Sequence, residues 1–205
     1  AFRNSTGLEE VIFPSTLQTI GVYAFEGCTN LRIVEFNEGL TAIPDYAFRN
    51  CTSLAVLEIP STVTTIGRDA FRSCTGLRIV ELGSGVTTIG ESAFYGCDGL
   101  VSLVLNDGLT TIGSNAFADC ENLQTVEIPA SVESIQNNSF NACDKMTVYC
   151  YSGTQAHMVG ESAGLDLFIL DAHEHNMNAH QVLRSMKEGN PHFLEKLDEY
   201  SRKYM

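Results

Sequence analysis

"TTIGRDAFRSCTGLRIVEL", residues 64–82, holds an Ile-Gly pair, an Ala-Phe pair, a cysteine and a Leu-x-x-Val-x-Leu run. The same phrase returns at an interval of 23 residues, without insertion or deletion. Ala-Phe stands at 1–2, 24–25, 47–48, 70–71, 93–94 and 116–117, and Ser139-Phe140 closes the series. Three residues after each Phe comes Cys28, Cys51, Cys74, Cys97, Cys120 or Cys143, with Ser5 in the first copy. Three further on stands Leu8, Leu31, Leu54, Leu77, Leu100, Leu123 or Met146. Apolar pairs at spacing two follow, such as Val34-x-Phe36, Leu57-x-Ile59 and Val80-x-Leu82. A fixed period of this length reads as a solenoid, in which each coil buries its apolar face only against its neighbours.

Spacing two puts both side chains of the pair on one face of a short strand, one strand per repeat. Pro14, Pro60 and Pro129 stop three of these strands, since proline cannot donate to a ladder. The Gly-, Asp- and Ser-bearing segment before Ala-Phe predicts a turn into a short helical or 3₁₀ segment. Stacked coils align the strands into a parallel sheet at about 4.8 Å per step, giving a rod roughly 30 Å long. Residues 1–147 are expected to form a solenoid of about six repeats, and 148–170 its C-terminal cap. Residues 171–205 break the period and read as a helical tail: Asn178 caps one helix through Lys187, and Asn190-Pro191 opens a second.

Composition narrows the function. The chain of 205 residues is 44% apolar and 18% charged, and no apolar run is long enough to span a bilayer. A net charge of −13 argues against a nucleic-acid partner, because phosphate contacts need Lys and Arg. No signal-peptide pattern opens the chain, but residue 1 falls inside a repeat, so this carries no weight. The cysteines lack the paired two-to-four spacing of zinc sites. Neighbouring rungs about 4.8 Å apart, with parallel Cβ atoms, are slightly too distant for an unstrained disulfide. Free thiols, each offering a weak hydrogen bond to the turn backbone, are therefore expected.

Two further motifs invite chemistry. Gly160-Glu161-Ser162-Ala163-Gly164 fits the nucleophile elbow of hydrolases, but it precedes a predicted strand instead of following one. Asp171 and His173 follow within a few residues, which is not the arrangement of a triad. His173, His175, His180 and His192 crowd the tail without a Cys or fixed carboxylate to complete a metal site. No catalytic residue, cofactor or metal is assigned. Asn4-Ser5-Thr6, Asn50-Cys51-Thr52 and Asn137-Asn138-Ser139 are formal glycosylation sequons, relevant only in a eukaryotic source.

The repeat resembles the BspA-type (Treponema pallidum-type) leucine-rich repeat family, whose pattern is close to A-F-x-x-C-x-x-L-x-x-V-x-I-P-x-x-V-x-x-I-G. Residues 1–150 follow it almost position by position, and residues 148–170 are similar to the end-cap of such proteins. The resemblance implies a right-handed leucine-rich-repeat solenoid and a non-catalytic protein-binding or adhesion module at the cell surface or secreted. It implies host or matrix proteins among the partners. It does not imply an enzyme.

The residues flanking each buried strand position should face outward. One column is Glu10, Ile33, Val56, Ile79, Ser102 and Thr125; the other is Ile12, Glu35, Glu58, Glu81, Val104 and Glu127. Three aligned aliphatics beside three stacked glutamates form the kind of patch that marks interaction sites. Simple β-propensity explains the aliphatics equally well. Ile33, Glu35, Val56, Glu58, Ile79, Glu81, Val104 and Glu127 are the candidate partner-binding residues. The acidic stripe suits a basic partner or weak Ca²⁺ binding, though no loop resembles a dedicated calcium site. Arg32 and Arg78 partly neutralise it. A monomer is expected. The alternative function is a structural spacer that presents another domain and binds nothing itself.

Overall fold

A computed structural model of the chain describes residues 1–170. The predicted tail helices and the histidine-rich segment lie outside the described residues. The elements run β1 (Glu10–Ile12), β2 (Ile33–Glu35), β3 (Ala42–Ile43), β4 (Val56–Glu58), β5 (Thr65–Ile66), β6 (Ile79–Glu81), β7 (Thr88–Ile89), β8 (Ser102–Val104), β9 (Thr111–Ile112), β10 (Thr125–Glu127), β11 (Ser134–Ile135), β12 (Thr147–Cys150), α1 (Gln155–Ala163) and β13 (Asp166–Ile169). All strand pairings are parallel, and each strand pairs with the equivalent strand of a neighbouring coil. The architecture is the solenoid that the 23-residue period requires.

Each coil has three sides. The first carries the predicted strand. The second was not anticipated: the closing apolar residues, such as Val63 and Ile66, flank a two-residue strand, and β3, β5, β7, β9 and β11 form one continuous sheet. There are thus two strands per coil in the middle repeats, not one. The Ile-Gly signature belongs to this side. The glycine N–H groups of Gly67, Gly90 and Gly113 donate to Ile43, Ile66 and Ile89 carbonyls at 2.8 Å. The coils approach so closely here that a Cβ on Gly113 would lie 2.6 Å from the backbone carbon of Gly90.

The third side is the Ala-Phe turn, and here the expectation of a helical or 3₁₀ segment is corrected. Alternate amides bond within the coil and between coils. Ala70 N–H and Arg72 N–H reach three residues back, to Gly67 and Asp69, whereas Phe71 N–H donates to Ala93 of the next coil at 2.8 Å. A helix would turn every amide onto its own chain and leave the coils unlinked. The alternation is made possible by two left-handed residues four apart, for example Asp69 at φ 50° and Ser73 at φ 57°. Asn, Asp, Ser and Gly fill most of these positions and tolerate the conformation; Tyr23, Tyr46 and Ala142 adopt it at a cost.

The core lies between the three sides as columns. Phe2, Phe25, Phe48, Phe71, Phe94, Phe117 and Phe140 stack with centroids 5.1–5.5 Å apart and planes within 11° of parallel. At that separation parallel rings are offset, the arrangement their quadrupoles favour. Phe48, Phe71, Phe94 and Phe117 are wholly buried, as are the Ala, Cys and Leu columns beside them. At the C-terminal end β13 adds to β12, and α1 packs beside them. Thr154 caps α1 by accepting from His157 N–H, and Gly164 ends it at φ 66°.

Candidate interaction face

The first strands hold three residues each, and period two decides which way they point. Val34, Leu57, Val80, Leu103 and Val126 face the core. Ile33, Val56 and Ile79 stand outward at 48%, 43% and 48% exposure, an unusual state for large aliphatics. Glu35 and Glu58 are exposed, and Glu81 and Val104 are half-buried. Pairing is direct where the ladder is formed: Val56 lies opposite Ile79, and Glu58 opposite Glu81. Glu127 departs from the outward column. It is only 2% exposed, because β12 places Tyr149 beside it, so it is not part of an accessible surface.

The ladder of first strands is not continuous. β1 pairs with β2, β4 with β6, and β8, β10, β12 and β13 form a third group. A cleft of about 710 Å³ opens across β2, β4 and the end of β6. Its lining includes Ile33, Val56, Glu35, Glu58 and Glu81 from the candidate residues, together with Arg32. Ile79, Val104 and Glu127 lie outside it. Glu38 and Phe36 also line the cleft. Glu38 Oε2 accepts from Ser61 Oγ at 3.2 Å across one coil.

The turn side carries ion pairs. Glu26, 8% exposed, sits between Arg3 at 2.6 Å and Arg49 at 3.9 Å. Arg72 pairs with Asp69 at 3.1 Å and lies 4.3 Å over the Tyr95 ring, whose hydroxyl donates to Asp119. Glu26 joins neighbouring coils through Arg3 and Arg49, whereas Arg72 meets Asp69 within its own coil.

All seven cysteines are free and buried. Cys74 Sγ donates to the Phe48 carbonyl at 3.2 Å, and Cys51, Cys97, Cys120 and Cys143 repeat the contact at 3.2–3.3 Å. Each thiol therefore ties its coil to the preceding one. Burial pushes the Cys74 thiol up to about 12 and that of Cys143 to about 11, and it raises those of Cys51, Cys97 and Cys120 as well. Thiols held protonated in this way are poor nucleophiles.

Ser162 lies within α1, where its hydroxyl donates to the Val159 carbonyl at 2.9 Å. Strand β13 follows the helix, which reverses the strand-to-helix order of a nucleophile elbow. His157 receives the Gly153 N–H on Nδ1 at 3.0 Å and places Nε2 3.3 Å from Glu161, so it serves the cap. No helix among the described residues is long and apolar enough to cross a membrane. Among the same residues no three His, Cys, Asp or Glu side chains gather as a metal site.

Comparison with known proteins agrees with the geometry. No curated protein matches the chain. Among solved structures, a leucine-rich repeat protein of Bacteroides ovatus is 28% identical with a TM-score of 0.67, over 73% of this chain and 41% of its own. A leucine-rich cell surface protein of Faecalibacterium prausnitzii is 28% identical with a TM-score of 0.58, over 74% and 50%. The T. pallidum leucine-rich repeat protein is 32% identical with a TM-score of 0.51, over 72% and 58%. The chain thus spans less than two thirds of the length of each. The pattern of the BspA-type leucine-rich repeat region, in six copies, matches residues 1–98 and 64–163. The chain belongs to the BspA-type leucine-rich repeat family.

Proposed function

We propose that the chain is a non-catalytic protein-interaction and adhesion module of a cell-surface or secreted protein, which binds a host or matrix protein through the first-strand face. The observation that carries this reading is the exposed column Ile33, Val56 and Ile79. Exposed aliphatics aligned strand by strand cost solubility in a protein that meets no partner, and they supply the apolar centre of an interface. On the turn side Arg3 and Arg49 meet Glu26, and Arg72 meets Asp69. The F. prausnitzii relative is a cell surface protein, which supports the same location here.

Biolayer interferometry of the chain against immobilised matrix proteins tests the reading. Replacing Ile33, Val56 and Ile79 together by Lys should abolish binding while the thermal melt stays unchanged. Retained binding moves the site to another side of the solenoid. Absence of binding by the unaltered chain to any protein partner favours the structural spacer.

A further inference from the structure

The cleft lies at one of the two places where the first-strand ladder parts, between β2 and β4. Phe13, Ile59 and Leu105 donate their N–H groups to the Glu35, Glu81 and Glu127 carbonyls at 3.0, 2.8 and 3.2 Å. The equivalent bond, from Phe36 N–H to the Glu58 carbonyl, is not made among the described residues, and β2 and β4 belong to separate sheets.

The side chains around the opening are one-sided in charge. Glu35, Glu38, Glu58 and Glu81 line it, against the single cation of Arg32. Neither the Glu35 nor the Glu58 carboxylate has an ionic or hydrogen-bond partner among the described residues. Like charges on neighbouring strands repel, so a cation placed between them relieves the column. The carboxylates lie strand by strand and do not converge as a metal site. Such spacing suits an extended donor, the planar guanidinium or the ammonium of a long side chain, better than a point dication. Beside the acids, Ile33 and Val56 stand exposed at 48% and 43%. The volume of about 710 Å³ admits more than one side chain.

We propose that this cleft receives a basic loop of the protein partner, with an Arg or Lys side chain among Glu35, Glu58 and Glu81 and an aliphatic neighbour against Ile33 and Val56. The proposal deepens the first-strand reading and rests on it. The net charge of −13 steers such a partner towards the chain from a distance.

The test uses the whole chain and two probes, acetyl-Ile-Arg-Val-Arg-Ile-amide and the same peptide with Glu for Arg, followed by isothermal titration. The basic peptide should bind and the acidic one should not, with affinity falling as salt is raised. Glu35→Gln with Glu58→Gln should weaken binding about tenfold or more, the loss expected for charge-assisted contacts. Glu121→Gln with Glu133→Gln removes the same charge elsewhere and should leave affinity within about twofold, as screening of distant charges requires. Equal binding of the acidic peptide, no binding of the basic one, or equal loss in the two double variants would overturn the proposal. Ile79→Lys, outside the cleft, separates the two readings. If it abolishes matrix-protein binding while Glu35→Gln with Glu58→Gln does not, the face stands and the cleft proposal falls.

Discussion

On the turn side the N–H groups of six successive Phe residues, Phe2 to Phe117, reach the next coil at 2.8 Å, whereas the first-strand ladder is broken twice over the same length. The turn wall also closes on itself chemically. Its thiols donate to Phe carbonyls, its arginines meet Glu26 and Asp69, and its Phe column is buried from Phe25 to Phe140. The first-strand wall leaves aliphatics and carboxylates exposed. One 23-residue phrase therefore builds a side that holds the rod together and a side free to meet something else. Core columns tolerate little change, while outward columns vary from Ile to Ser to Thr without disturbing the coil.

The sharpest way to break this contrast is alkali. The buried thiols keep their protons to about 11 for Cys143 and about 12 for Cys74. In the unfolded chain a thiol loses its proton near 8.5, so above that pH the unfolded state binds fewer protons and is favoured. Stability should be fully present below about pH 8.5 and fall up to about pH 12, by up to ~1.4 kcal/mol per pH unit for each thiol. Urea unfolding at successive pH values reads the slope. Cys74→Ala with Cys97→Ala should flatten it, and an unchanged slope would mean the thiols titrate freely in the folded state.

Phe71→Ala comes next in size. It removes one ring from the middle of the stack, between Phe48 and Phe94, and should cost about 3–5 kcal/mol by chemical denaturation. Ile79→Ala, eight positions on and outward, should cost well under about 1 kcal/mol, the usual range for exposed sites. Comparable losses would erase the distinction between the two walls.

Cys74 gives a smaller effect than Phe71 and a more discriminating one. Cys74→Ala removes both the sulfur and its bond to Phe48, and should cost about 1–2 kcal/mol. Cys74→Ser keeps a donor of smaller size and should cost less, with partner binding unaffected in both. If Ser costs as much as Ala, then size and not the hydrogen bond selects cysteine in this column. Ser139, which stands in an Ala column and donates to the Gly113 carbonyl, shows that the wall accepts hydroxyls.

The solenoid itself was legible from the phrase around Phe71, because a coil that cannot bury its face alone states its architecture through its period. The outward direction of Ile33, Val56 and Ile79 was legible too, since it needs only the alternation of a strand. Glu127 was misread for an identifiable reason. Its own repeat is ordinary, and only the next coil, with Tyr149 alongside, removes it from solvent. The helical reading of the Ala-Phe turn failed similarly. Local turn residues such as Asp69 and Ser73 signal a bend, but the carbonyl that each amide finds belongs to another coil.

By itself the sequence determined the repeat length, the inward columns of Ala, Phe, Cys and Leu, and the alternation that turns Ile33, Val56 and Ile79 outward. These follow from spacing along one chain, which is local and covalent. Only the tertiary structure decided that a second sheet runs through the Thr-Ile pairs, that the turns are left-handed and bonded between coils, and that the ladder parts between β2 and β4. Those depend on how closely one coil settles on the next, which the repeat period does not encode.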